Sequence, residues 1–116
     1  MKRMASRYKL VHHPAAADDY RASVDFFAKI DPDLAELFKE DFKLSLRGIA
    51  TGRASSHVYA AAYTIRWVKL RRFSHKVFFE PEGDETRFVL GIVSGRRHPV
   101  RIRLMLGQRK KPRSGS

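Results

Sequence analysis

Between residues 65 and 93 the chain carries three successive segments rich in β-branched and aromatic side chains: 65–70, 73–79 and 88–93. Strand formers in this order constrain the fold more than anything else in the sequence. The first two segments are separated by Arg71 and Arg72 alone, and the second is followed by Pro81-Glu82-Gly83-Asp84-Glu85, a turn with a glycine for positive φ. Neither connection is long enough for the crossover that parallel neighbours require, so the three predict an antiparallel meander. Within 73–79, Phe73, His75, Val77 and Phe79 share one face, while Ser74, Lys76 and Phe78 share the other. The third segment is almost wholly apolar after Arg87, as expected of a central strand covered on both sides. In the first, Arg66 shares a face with Val68 and Leu70, and Trp67 shares one with Ile65 and Lys69, which leaves its buried face undecided.

The preceding half is helical. Tyr8-Lys9-Leu10-Val11-His12 is short and alternating, suited to a first strand, and Pro14 then opens a helix predicted over 14–29. Asp18 and Asp19 are placed in its first turn, at the positive end of the dipole, and Tyr20, Val24 and Phe27 make its apolar face. Asp31-Pro32 repeats the start signal, and the stripe Leu34, Leu37, Phe38, Leu44, Leu46 and Ile49 predicts a second helix over 32–50, stopped near Gly52. Helices joined so tightly form an antiparallel hairpin. Residues 51–64 show no period and are expected to be a loop, with His57 exposed in it. After Pro99, residues 100–106 alternate but fit a final edge strand or a short helix equally well. The expected architecture is α+β, in the order β-α-α-β-β-β followed by one strand or helix, with the hairpin packed on a mainly antiparallel twisted sheet. Its expected domain spans 8–106, between a flexible basic arm (1–7) and a disordered basic tail (107–116).

Charge bears on partners. The 116 residues carry a formal net charge of +12 and are strongly asymmetric: 1–63 hold 10 Lys/Arg against 8 Asp/Glu, and 64–116 hold 14 against 4. A chain so loaded attracts polyanions: nucleic acid, a ribonucleoprotein or an acidic protein. There is no cysteine, so disulfides and thiolate metal sites are excluded. The spacing of His, Asp and Glu suggests no metal site, and no cofactor is expected. The basic N-terminus lacks an apolar segment behind it, and no run approaches the length of a membrane span, so a cytoplasmic protein without membrane contact is expected.

Three stretches together resemble the RelE/ParE superfamily, the toxins of bacterial type II toxin–antitoxin systems. Tyr8-Lys9-Leu10-Val11, running through Pro14-Ala15-Ala16-Ala17-Asp18-Asp19, is similar to the family's opening strand and Ala/Asp-rich helix start. Arg71-Arg72-Phe73-Ser74-His75-Lys76-Val77-Phe78-Phe79 is similar to its R-F-P-Y-x-V-x-Y motif, with Ser74 and His75 in place of Pro and Tyr. Val93-Ser94-Gly95-Arg96-Arg97-His98-Pro99 is similar to its V-x-H-x-R-R-D-P motif, with Ser94 in place of His and His98 in place of Asp. The resemblance covers about residues 8–103. It implies a growth-arresting toxin neutralised by a cognate antitoxin. The ParE-type members inhibit DNA gyrase without a catalytic set, and the arginine pattern is closer to theirs. The RelE-type members cleave mRNA on the ribosome with basic residues, helped in some by a C-terminal Tyr or His. No Tyr follows Tyr63 here, so that role falls to His98 with Arg96 and Arg72. An inactive or nucleic-acid-binding descendant is the remaining alternative.

Metal-free RNA cleavage needs a base for the 2′-hydroxyl, an acid for the leaving oxygen and cations on the phosphate. His75 and His98 are the titratable candidates. Arg66, Lys69, Arg71, Arg72, Arg96 and Arg97 are the candidates for holding a phosphate or an acidic target. Trp67 could stack on a base. The plainer alternative is that His98 caps a turn, Trp67 belongs to the core and the arginines solubilise one face of the sheet.

Overall fold

The computed structural model describes residues 7–60, 62 and 64–110. The elements run β1 (Lys9–His12), α1 (Pro14–Ile30), α2 (Pro32–Thr51), β2 (His57–Val58), β3 (Arg66–Lys69), β4 (Lys76–Glu82), β5 (Thr86–Val93) and α3 (Pro99–Arg109). The strands form one sheet in the order β1-β5-β4-β3-β2. β1 lies parallel to β5, and the other pairings are antiparallel. This is the α+β arrangement expected, a helical hairpin on a mainly antiparallel sheet.

Each helix begins in the same way. An extended residue offers a side-chain acceptor to an orphan N–H two residues on, and proline follows it at the first helical position. His13 Nδ1 accepts from the Ala15 N–H at 3.0 Å, Asp31 Oδ1 from the Asp33 N–H at 2.9 Å, and His98 Nδ1 from the Val100 N–H at 3.1 Å. α2 stops at Gly52, whose φ of 75° is the left-handed conformation a glycine C-cap supplies. Asp18 and Asp19 lie beyond the first turn of α1, which contains no acidic residue. Their work is in side-chain pairing: Asp18 with Arg21, and Asp19 with Arg109.

The sheet is covered on both faces. Val68, Val77, Phe79, Val89 and Ile92 pack against Ala16, Phe38 and Ile49 of the hairpin. Phe78, Leu90 and Val93 pack on the other face with Ile65 and with Met105 and Leu106 of α3. A bulge makes this division possible. Phe78 is opposite Gly91 and Phe79 is opposite Val89, so Leu90 is an extra residue on β5. Val89 and Ile92 therefore reach the hairpin, while Leu90 and Val93 reach α3.

Several expected boundaries move. β4 begins at Lys76, because residues 73–75 stay in a loop whose Phe73 and His75 turn under the hairpin against Phe27 and Phe38. β4 also continues through Pro81 to Glu82. Its pairing with β3 ends at Phe79, so Pro81 meets only β5 and its missing N–H disrupts no ladder. The stretch expected as a loop contains the edge strand β2, paired with β3 at Arg66 and Trp67. The segment after Pro99 is a helix, and it extends to Arg109, three residues into the expected tail. Residues 111–116 of that tail and residues 1–6 of the expected arm lie outside the described residues. Arg7 is held to the domain, its N–H bonded to the Ala50 carbonyl at 2.9 Å.

β1 ends opposite Val89, and among the described residues no strand pairs with the outer edge of β5 from Leu90 onward. An ion pair takes that place. Asp19 of α1 accepts the Ile92 N–H at 3.1 Å, Arg109 of α3 donates to the Leu90 carbonyl at 3.2 Å, and the two side chains bond to each other. α1, β5 and α3 are thereby joined at one point. Gly91 makes room for it: a Cβ there would sit 2.8 Å from Asp19 Oδ2 and collide with Arg109.

Candidate functional site

Two loops meet at one end of the sheet, the β3–β4 loop (70–75) and the β5–α3 loop (94–98). Their approach is close, since a Cβ on Gly95 would lie 2.7 Å from the Ser74 carbonyl oxygen. Arg71 and Arg72 stand on the first loop, and Arg96 and Arg97 on the second. Guanidinium groups from distant parts of the chain are brought to the same end of the molecule.

Their partners separate these residues into two groups. Arg72 is bound to α2: its backbone N–H and Nε donate to Asp41 at 2.6 and 2.9 Å, and Nη2 reaches Glu40 at 3.2 Å. Asp41 is fully buried, so this bond pins the β3–β4 loop to the hairpin. The Asp41 hydrogen bond, aided by the Asp41 and Glu40 charges, raises the Arg72 pKa above its usual value. Arg66 donates to the Ser56 hydroxyl and carbonyl, at 2.7 and 3.2 Å. Lys69 caps the loop from below, donating to the Leu70 and Phe73 carbonyls at 3.1 and 3.0 Å. These three cations stabilise the fold. Arg71, Arg96 and Arg97 are exposed and make no ion pair among the described residues.

The aromatic and imidazole candidates are similarly engaged. Trp67 stacks on His57 with centroids 4.4 Å apart, and the Lys76 ammonium lies 4.2 Å from the indole centroid. His57 and Lys76 come from the strands flanking β3, so the indole is already provided with a stacking ring and a cation. His75 lies in a cage with Phe27, Phe38 and Phe73, at centroid separations of 5.7, 5.0 and 6.3 Å. Burial there lowers its pKa, favouring the neutral ring. His98 uses Nδ1 as the acceptor of the α3 cap. An imidazole accepting at Nδ1 carries its proton on Nε2, so this tautomer has no free lone pair for a general base. It can still donate a hydrogen bond.

Beside the two loops a cleft of about 340 Å³ opens between α1 and the outer edge of β5. Phe26, Phe27 and His75 supply aromatic walls, and Ser23, Ser94 and Arg97 supply polar groups. Phe26 is 61% exposed. It lies off the Tyr20, Val24, Phe27 face, and an exposed aromatic on the far side of an amphipathic helix is a signal that the apolar stripe does not contain.

No protein-family model and no curated protein sequence matches this chain. The site combines three arginines on adjoining loops, unpaired among the described residues, with a histidine that caps a helix and a histidine caged by aromatic rings. This arrangement can hold phosphate or carboxylate oxygens. No helix among the described residues is long and apolar enough to cross a membrane.

Proposed function

We propose that this chain is a growth-arresting toxin of the RelE/ParE type, cytoplasmic and neutralised by a cognate antitoxin, which acts by binding its target without cleaving RNA. One observation carries the choice of mechanism. His98, the histidine placed where the resemblance would put a catalytic group, gives its acceptor nitrogen to the Val100 N–H, while Arg96 and Arg97 beside it remain unpaired among the described residues. A binding toxin needs only those cations; a nuclease needs the histidine as well. The ParE-like reading, inhibition of DNA gyrase, is therefore favoured over the RelE-like one, cleavage of ribosome-bound mRNA. The element order adds support, since strand, hairpin, meander and basic turn follow in the sequence the resemblance implies.

The test is induced expression in a bacterium, with gyrase supercoiling and ribosome-dependent mRNA cleavage scored side by side on purified protein. Growth arrest, inhibited supercoiling and relief by Arg96→Ala with Arg97→Ala are expected. Cleaved mRNA would instead select the endonuclease. No arrest from the intact chain would leave an inactive or nucleic-acid-binding descendant.

A further inference from the structure

We propose that the cleft between α1 and the outer edge of β5 is a binding site for a small ligand made of a flat aromatic ring and one anionic group. The inference does not depend on the toxin reading.

The walls are suited to a ring. Phe26 and Phe27 meet edge to face at 5.3 Å, and Phe26 offers most of its surface to solvent. Exposed aromatic surface in a concavity is what a planar ligand covers. At about 340 Å³ the cleft is at the small end of ligand-sized cavities.

The polar groups are suited to an anion. Asp19 also lines the cleft, but its carboxylate is occupied by Arg109 and the Ile92 N–H. Its charge is matched, and Arg97, also on the lining, has no ion-pair partner among the described residues. The hydroxyls of Ser23 and Ser94 can donate to the same anion. His75 lines the cleft as well, its ring giving it another flat wall, while its buried Nδ1 has no hydrogen-bond partner among the described residues. Mononucleotides and aromatic carboxylates share the required chemistry.

The experiment is calorimetric titration of the full chain with adenosine 5′-monophosphate and, separately, with indole-3-carboxylate, using ribose 5-phosphate and adenosine as half-ligands. At least one complete ligand is expected to bind saturably and more tightly than either half. The tighter of the two identifies the source. Arg97→Ala should weaken binding roughly tenfold or more, by loss of a charge-assisted contact. Phe26→Ala should weaken it about fivefold or more, by loss of stacking. Both side chains are exposed, so neither change threatens folding. Arg53→Ala removes the same charge beside Gly52, which packs on Tyr8 at the opposite end of the sheet, and should leave affinity within about twofold. Ribose 5-phosphate binding as tightly as the complete ligands, equal losses in Arg53→Ala and Arg97→Ala, or no saturable binding would each overturn the proposal.

Discussion

Asp41 and Arg72 lie thirty-one residues apart in sequence and form the bond that fixes one loop of the site to the helical hairpin. Because the carboxylate is fully buried, it is stabilised only while its donors remain. Asp41→Ala should lower unfolding free energy by about 1.5–3 kcal/mol, the range for hydrogen bonds to a charged group, measured by urea denaturation. Arg72→Ala should likewise reduce stability, and any relief of growth arrest it gives should scale with the protein lost. Gly91 is sensitive for the opposite reason, crowding. Gly91→Ala should cost about 1–3 kcal/mol by pushing Asp19 and Arg109 apart, visible as a lower denaturation midpoint. His75 brings a pH dependence. Its unfolded pKa is near 6.5 and burial lowers the folded value. Below pH about 6.5 the unfolded chain takes up the proton more readily, so the His75 contribution is complete above that value and declines as pH falls toward the folded pKa. Thermal melts from pH 7.5 to 5 should show this decline, and His75→Phe should lessen it, leaving the part due to His12, whose pKa burial also lowers.

Among the elements, α3 was the least legible. Residues 100–106 alternate as a strand would, and seven residues cannot separate the two periods. The deciding signal was His98-Pro99, the same cap-and-proline start as His13-Pro14 and Asp31-Pro32. A histidine is easily passed over as a cap because the usual cap residues are Ser, Thr, Asp and Asn. His98→Ala should cost about 1 kcal/mol in chemical denaturation. His98→Asn should recover most of that stability and retain growth arrest, because asparagine supplies a cap but cannot replace an imidazole in proton transfer. Loss of arrest in a stable Asn variant would point back to catalysis. The edge strand β2 was illegible for a related reason: two residues carry no period, and their pairing with Arg66 and Trp67 is a tertiary fact.

For the whole molecule, the charge asymmetry read from composition places the excess on the half that forms the meander, its loops and α3. Charge alone could not tell which cations are available. Of the six basic residues singled out, Arg66, Lys69 and Arg72 hold loops in place, while Arg71, Arg96 and Arg97 remain unpaired among the described residues. Binding to a polyanionic target should therefore weaken as salt rises, and Arg96→Ala combined with Arg97→Ala should flatten that dependence in a binding assay at several salt concentrations.

The sequence by itself determined the hairpin, the meander and the basic half, because the 3.6 and 2.0 residue periods and the proline starts are local and survive without a partner. Only the tertiary structure decided which charges are free, where the Leu90 bulge turns β5 between its two covered faces, and that Arg109 returns to Asp19 across the open edge of that strand. Each of these depends on groups distant in sequence meeting where water is excluded, and no periodicity along the chain encodes such a meeting.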